Sequence, residues 1–389
     1  MSNGSLLVID AGILYTPFEK ISAARVVADN GRIVEVGPAD RVPAPAAAHR
    51  IDASGLTLAP GFIEPHIHGC GGVDVMDGSF EALNTVSRIV ARHGTTSFLP
   101  TTVSSPSAGL TVALTKIGES ISRRFGGAAP LGIHLEGPFI NSVRRGTHRS
   151  LNLLPPDPEL MSRWITASKS TIRLITIAPE LDEAGSIAAL AAQHGIRVAM
   201  GHSNASLAEA GAAADRGICY AVHTFNAMRD FTHRDPGIVG AVLADDRIFA
   251  EIIADGIHVH PAVVRFFARA KRAERILLVT DAMSAADMPD GDYTLGPDTV
   301  SVKNGVCRDA EGRLAGSTLT QDIALKNFVE WTGFPIEDAL LALTTNPAKA
   351  LGLAGKGVIE AGADADMTIL DSNFHVMKTL VAGKLVFER

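Results

Sequence analysis

The chain has 389 residues, of which 46% are hydrophobic and 20% charged, a mixture that belongs to a globular protein with a sizeable core and excludes a disordered or fibrous one. A formal net charge of −7 leaves no broad basic surface for nucleic acid or anionic lipid, so an anionic ligand must be held by a local cluster and small substrates are favoured. Three cysteines, Cys70, Cys219 and Cys307, are too few and too scattered for a disulfide framework and point to a reducing, cytoplasmic setting.

The N-terminal residues lack a basic leader and their apolar run is broken by Asp10 and Gly12, which reads as a strand and not a signal peptide. No stretch approaches the roughly 18 uninterrupted apolar residues of a membrane span. Strand patterns follow at LLVIDAGILY, at RVVADNGRIVEVG with an Asn30-Gly31 hairpin turn, and at HRIDASGLTLAPG. The C-terminal segments GVIEAGADADMTILD and FHVMKTLVAGKLVFE, with Gly383-Lys384 at a turn, return to the same pattern. The two ends are expected to pair as a small β-sandwich domain of residues 1–58 plus 353–389, leaving 59–352 as an uninterrupted (β/α)8 TIM barrel.

Within 59–352, apolar runs alternate with helical patterns, the signature of βαβ units around a parallel sheet. In 79–93, Ser79 is placed as N-cap, Leu83, Val86 and Val90 recur at helical spacing, and Gly94 ends the helix. Eight runs qualify as strands: 61–68, 95–103, 131–137, 173–180, 198–203, 220–225, 249–256 and 276–282.

Five of those runs end in imidazole or acid: His66 and His68, Glu136, His202, His223 and Asp281. His66 and His68 are two apart on a strand and project from one face, and the glycine-rich stretch Gly69-Cys70-Gly71-Gly72 after them lets backbone approach a ligand. Each of these residues taken singly is an ordinary strand-end side chain. Together they form an imidazole and carboxylate set suited to zinc or another borderline first-row ion, with a position left for water. A barrel collects such ligands on the C-terminal face of its strands. Asp281, beside water acidified by a metal, is suited to accept a proton and return it to a leaving amine.

The segments HLEGPF, GHSNA, HTFNAM, RDPGIVG, IADGIHV, LVTDAM and LAGSTLT make the chain resemble, nearly end to end, the N-acetylglucosamine-6-phosphate deacetylases of the amidohydrolase superfamily. The resemblance implies metal-dependent hydrolysis of N-acetyl-D-glucosamine 6-phosphate to D-glucosamine 6-phosphate and acetate, in amino sugar catabolism or recycling. By the same resemblance Glu136, His202 and His223 bind the divalent metal and Asp281 is general base and then acid. His66 and His68 offer a second ion position, with Asp281 beside it, where some relatives carry other polar residues. One or two ions per subunit are implied, zinc foremost, with iron, cobalt, manganese or nickel as alternatives.

The implied substrate pocket comprises Thr147, His148, Asn226, Ala227, Arg234, His258 and the backbone of Leu314, Ala315 and Gly316. Arg234 and His258 suit the phosphate, and Arg234 is expected to reach the neighbouring active site of a homodimer. Sugar stereochemistry is not legible, so an N-acetylgalactosamine-6-phosphate deacetylase or another amidohydrolase is the alternative. A cyclic-amide hydrolase is disfavoured by the absence of a bridging lysine, and a silent binding scaffold by the presence of every ligand candidate. Cys70 is expected to pack, and the 140–160 segment to border the pocket.

Overall fold

Eight parallel strands run in unbroken neighbour order around a barrel. They are β1 (Phe62–Ile67), β2 (Thr95–Thr102), β3 (Ile133–Glu136), β4 (Ile172–Ile177), β5 (Arg197–Met200), β6 (Tyr220–Ala221), β7 (Phe249–Ile253) and β8 (Ile276–Val279). The computed structural model of the chain describes residues 6–183 and 185–389, so positions 1–5 of the expected terminal domain lie outside the described residues. Every residue of β1, β2, β3 and β8 is buried, as expected of strands covered on both faces.

Each strand is followed by a helix: α1 (Phe80–Arg92), α2 (Ser107–Ile121), α3 (Pro158–Ala167), α4 (Ser186–Gln193), α5 (Leu207–Asp215), α6 (Gly237–Ala244), α7 (Pro261–Ala270) and α8 (Gln321–Thr332). The helix starts are written locally. The Ser79 side chain accepts from the Ala82 N–H to start α1, and a reciprocal Ser206/Glu209 capping box starts α5. Gly94 follows α1 at φ +85°, and a Cβ there would meet the Phe62 ring at 2.7 Å, so glycine is required both by backbone and by space.

The barrel closes differently from the way it runs. Strands β1 and β8 share only a short parallel contact at their C-terminal ends, where His68 N–H donates to Ala282 O at 2.8 Å and Asp281 N–H to His66 O at 3.0 Å. Lower in the seam the Ile63 and Leu278 N–H groups turn instead to the carbonyls of Leu343 and Ala342. Between these levels the Glu64 carboxylate spans the gap, accepting His66 N–H on one oxygen and Thr280 N–H on the other, each at 3.1 Å. A side chain thus satisfies backbone donors that a strand ladder would otherwise pair.

The two termini form one seven-stranded sheet in which the N-terminal strand His49–Pro60 pairs with the C-terminal strand Met367–Leu370. Thr368 and Thr379 hydroxyls reach the carbonyls of Gly94 and Ala91 at 2.7 Å and seat this sheet on the end of α1. The last hairpin turns at Ala382-Gly383, one residue earlier than Gly383-Lys384. Both positions have positive φ, which a tight two-residue turn demands and which Ala382 adopts despite its Cβ.

The barrel stretch is also interrupted, contrary to the reading of 59–352 as continuous. After β8 the chain builds a three-stranded antiparallel sheet from Gly291–Leu295, Asp298–Lys303 and Val306–Arg308 before entering α8. Its alternating, largely exposed pattern carries too few apolar residues to stand out as strands.

Trp164 of α3 is fully buried, lies against Phe139 with ring centroids 5.8 Å apart, and donates its indole N–H to Thr111 of α2 at 3.0 Å. Trp164→Ala is expected to cost about 3–5 kcal/mol, the usual loss for an emptied aromatic site. The check is a fall in denaturation midpoint larger than that of Thr111→Ala, which removes the hydroxyl that accepts the indole N–H and donates to the Ser107 carbonyl, about 1 kcal/mol for each hydrogen bond.

Candidate metal centre

The C-terminal ends of the strands deliver the predicted side chains to one buried point. His66 comes from β1 and His68 is the residue directly after it, Glu136 is the last position of β3, and His202, His223 and Asp281 lie in the first turns after β5, β6 and β8. The last three have positive φ, at 47°, 28° and 49°, an uncommon conformation for residues other than glycine. Leaving the strand in this way turns each side chain back over the barrel mouth, a strain that the surrounding packing must hold.

His202 Nε2, His223 Nε2 and Glu136 Oε1 lie 3.1, 3.2 and 3.3 Å from one another. Ligands about 2.0–2.1 Å from a tetrahedral zinc ion are about 3.3 Å apart, so this triangle has the dimensions of one coordination face. A second group surrounds the other side of the same carboxylate. His68 Nε2 is 3.3 Å from Glu136 Oε2 and 3.1 Å from Asp281 Oδ1, and His66 Nε2 is 3.3 Å from Glu136 Oε1 and 3.6 Å from Asp281 Oδ1. His66, His68 and Asp281 are within reach of one ion, as are His66, Glu136 and His223.

The hydrogen bonds behind the rings fix their tautomers. His68, His202 and His223 direct Nδ1 at the backbone carbonyls of Thr101, Arg144 and Asn226, at 3.1, 3.1 and 3.2 Å. A carbonyl only accepts, so each Nδ1 carries a proton and each Nε2 faces the centre, where it presents a lone pair whenever the ring is neutral. His66 directs Nδ1 at the Glu251 carboxylate at 2.9 Å, and its Nε2 is buried without a hydrogen-bond partner. His148 is reversed. Its Nδ1 accepts the Ser104 N–H at 3.1 Å, which leaves the proton on Nε2, 3.5 Å from Glu136 Oε2. Although Glu136, His148 and His202 are close enough to hold an ion, His148 is a donor in this tautomer and not a ligand.

Charge in the centre is coupled. Burial opposes ionisation of Glu136, but the His66 charge, and after it the surrounding rings of His148, His202 and His223, hold its carboxyl well below the usual range. Asp281 is held low in the same way, with burial outweighed by His66 and His68. Burial disfavours a charged His68, yet its bonds to Asp281 and Glu136 push it up to about 9. His202, by contrast, is pushed down to about 4 by burial and stays a neutral ring. Two buried carboxylates among imidazoles need positive charge, which protons or a cation can supply; the donor set, the spacing and the unpartnered His66 Nε2 all fit a divalent cation.

A cavity of about 190 Å³ opens over this centre, lined by Thr147, His148, Asn226, Ala227, His258, Leu314 and Gly316 from the expected pocket. The Asn226 amide nitrogen is buried without a partner. His258 is raised, its burial outweighed by the Asp255 carboxylate 2.7 Å from Nδ1, which favours a positive ring at the pocket wall. Ala315 is buried behind the wall, with its N–H on Cys307 O. Arg234 does not line the cavity; it is exposed and makes no ion pair among the described residues. The 140–160 segment is tied to the inserted sheet by Arg149 on Asp298, and Cys70 is a buried free thiol whose Sγ faces the Val86 carbonyl.

Sequence reasoning missed the carboxylates beneath the site. Glu64 and Glu251 lie in the middle of buried apolar runs, FIEPHIH and FAEIIADG, and an acid there is itself the signal, because a buried charge needs partners. It also missed Glu180, which holds the GHSN turn through Ser203 Oγ and the Asn204 N–H, both at 2.7 Å.

A (β/α)8 barrel that gathers imidazoles and carboxylates from five strand ends at the floor of a polar cavity defines a TIM-barrel hydrolase of the metal-dependent class. The amidohydrolase family model matches residues 57–386. The chain belongs to the amidohydrolase family. It is 41% identical to an N-acetylglucosamine-6-phosphate deacetylase of Vibrio furnissii, over 88% of this chain and 86% of that protein. It is 40% identical to an N-acetylgalactosamine-6-phosphate deacetylase of Escherichia coli O157:H7, over 88% of this chain and 90% of the relative. Among solved structures, a Mycobacterium smegmatis N-acetyl-D-glucosamine-6-phosphate deacetylase variant in complex with N-acetyl-D-glucosamine-6-phosphate superposes with a TM-score of 0.90 at 34% identity, covering 98% of this chain and all of that one.

The protonated centre has a consequence for the metal-free protein. The His68 pKa is raised from 6.5 to about 9 in the fold, so its stabilisation is complete below pH 6.5 and is lost as pH rises through about 9. Glu64, pushed by burial from 4.5 up to about 8, acts in the same direction. Chelated protein is expected to melt at falling temperature from pH 6.5 upward, and cation-loaded protein to lose less over the same range because coordination removes the His68 contribution; parallel profiles for the two would contradict the coupling.

Proposed function

We propose that the protein hydrolyses the acetamide of an N-acetylated amino sugar 6-phosphate, N-acetyl-D-glucosamine 6-phosphate foremost, releasing acetate and D-glucosamine 6-phosphate in amino sugar catabolism or recycling. The observation that carries this reading is the triangle of His202, His223 and Glu136 beneath a pocket whose free polar groups face inward. The relatives named as deacetylases of that substrate support it over most of the chain. The galacto epimer stands as a second reading because a relative of nearly equal similarity carries that name.

Glu136, His202 and His223 would hold one divalent cation, zinc foremost by its donor set with iron, cobalt, manganese or nickel as alternatives, and His66 and His68, with Asp281 beside them, a second. Bound there, the cation supplies Lewis-acid polarisation and an acidified water. Asp281, ionised and 14% exposed in its side chain, faces the cavity, takes a proton from the attacking water on a carboxylate oxygen and returns it to the sugar nitrogen as the C–N bond breaks. The Nε2–H of His148 donates to the carbonyl oxygen as negative charge collects there. The water oxygen ends in acetate and its proton on the amine.

The phosphate is placed at the His258 and Asn226 side of the pocket, with Arg234 contributed by the neighbouring protomer of a homodimer. Arg234 is exposed and outside the lining of its own pocket, and Phe231 and Phe266 expose apolar surface with ring centroids 6.5 Å apart. The catalytic unit is the barrel of residues 59–352, with 1–58 and 353–389 as its support. No described helix is long and apolar enough to cross a membrane, and three free cysteines favour the cytoplasm.

Asp281→Asn is expected to retain bound metal while acetate release falls by at least a thousandfold, on the order of the loss of a general acid–base; substantial residual turnover would refute the role. Arg234→Ala should lose about ten- to a hundredfold in kcat/KM for phosphorylated sugars, the worth of a charged hydrogen bond of about 1.5–3 kcal/mol, and leave dephosphorylated sugars unaffected. Acetate release from both epimeric 6-phosphates, measured alongside metal content, decides between the two readings and excludes a silent scaffold.

A further inference from the structure

We propose that the groove beside α1, between the segment after α2 and the last hairpin of the terminal sheet, is a binding site for a diphosphate-bearing small molecule of nucleotide size. A cavity of about 580 Å³ opens there, with Arg123, Arg124 and Phe125 on one wall and Lys384 and Leu385 on the other. That volume falls within the range of about 300–1,000 Å³ usual for small-ligand sites. The groove shares no lining residue with the cavity over the metal centre. Three of its lining side chains are cations and none is an acid. Arg88 of α1 adds a fourth positive charge, since its Nε lies 2.7 Å from where a Cβ on Gly126 of the wall would stand.

None of these four cations makes an ion pair or a side-chain hydrogen bond among the described residues, whereas the neighbouring Arg92 and Lys169 are paired with Asp287 and Glu119. On a chain of net charge −7 a cleft with walls of one positive sign concentrates the field and draws anions to it. Arg123 is already ordered for the task. Its guanidinium lies 3.5 Å from the centre of the Phe80 ring, and stacking of this kind holds the plane while leaving the N–H edges free for the oxygens of a phosphate. Phe80 is 5.1 Å from Phe125 by ring centroids, so the aromatic surface continues from the guanidinium into the groove. Phe125 and Leu385 offer apolar surface that a planar base would cover. A single carboxylate would leave most of the cations unmatched, and a diphosphate spreads several charges and acceptor oxygens over them. A nucleic-acid strand matches less well, because its phosphates would run on over a protein of net negative charge.

The test is equilibrium dialysis of the full-length, metal-loaded protein with ADP as probe. Wild type is expected to bind one equivalent per chain at this site, more weakly as salt rises. Arg124→Glu, a change at an exposed position, should weaken ADP about 10- to 100-fold, the worth of a charged hydrogen bond, and Lys384→Ala and Arg88→Ala should each weaken it by a smaller factor. All three variants should melt and release acetate as wild type does. Absence of ADP binding to wild type at millimolar concentration would overturn the proposal. So would ADP binding that survives Arg124→Glu unchanged, which would place the nucleotide elsewhere, as at the barrel mouth. A single-stranded oligonucleotide that bound more tightly than ADP would also overturn it, in favour of a nucleic-acid surface.

Discussion

The centre depends on where five imidazoles keep their protons. Three rings are anchored through Nδ1 to backbone carbonyls and one to a carboxylate, which turns four lone pairs toward a common point, while the fifth ring is anchored to an N–H and turns a donor there instead. Of these anchors only Asn226 lines the substrate cavity, yet each decides whether its ring ligates or donates. The division of labour between His148 and its neighbours is therefore made by backbone groups of Ser104, Thr101, Arg144 and Asn226.

Holding that arrangement requires features that would be costly elsewhere. His202, His223 and Asp281 leave their strands with positive φ, and Glu64 and Glu251 place carboxyl groups in the buried interior of the barrel. The two kinds of feature support each other. Glu251 accepts the N–H of strained His223, and Glu64 accepts the N–H groups of His66 and Thr280, the residue before strained Asp281. Each buried acid accepts backbone N–H groups that the irregular strand ends leave free, and in doing so holds the strained turns in place.

The same seam links the site to the global fold. Because β1 and β8 meet only at their upper ends, the pairs that close the barrel, His68 with Ala282 and Asp281 with His66, are themselves parts of the active centre. The terminal sheet stands apart from this chemistry and clasps the end of α1 through Thr368 and Thr379, whereas the inserted three-stranded sheet reaches the pocket side and receives Arg149 from the loop after β3. Stability and access are thus assigned to different additions to one barrel.

The alternation of apolar runs with amphipathic segments was enough to locate all eight strands and helix α1 with its Ser79 cap, because burial on both faces forces an apolar run and capping is a local hydrogen bond. The polar strand ends were legible for the complementary reason that imidazole or acid at the rim of an apolar strand stands out. What the chain could not show by itself was which nitrogen of each ring faces inward, that Glu64 and Glu251 are consumed by backbone donors, or that the stretch after β8 folds into a sheet. Those outcomes depend on partners such as Thr280, 216 positions from Glu64, and Glu251, 185 positions from His66. Local sequence sets which residues can be strand, cap or ligand; only the closed barrel, by setting the distances between remote strand ends, decides what each ligand is hydrogen-bonded to and hence what it does.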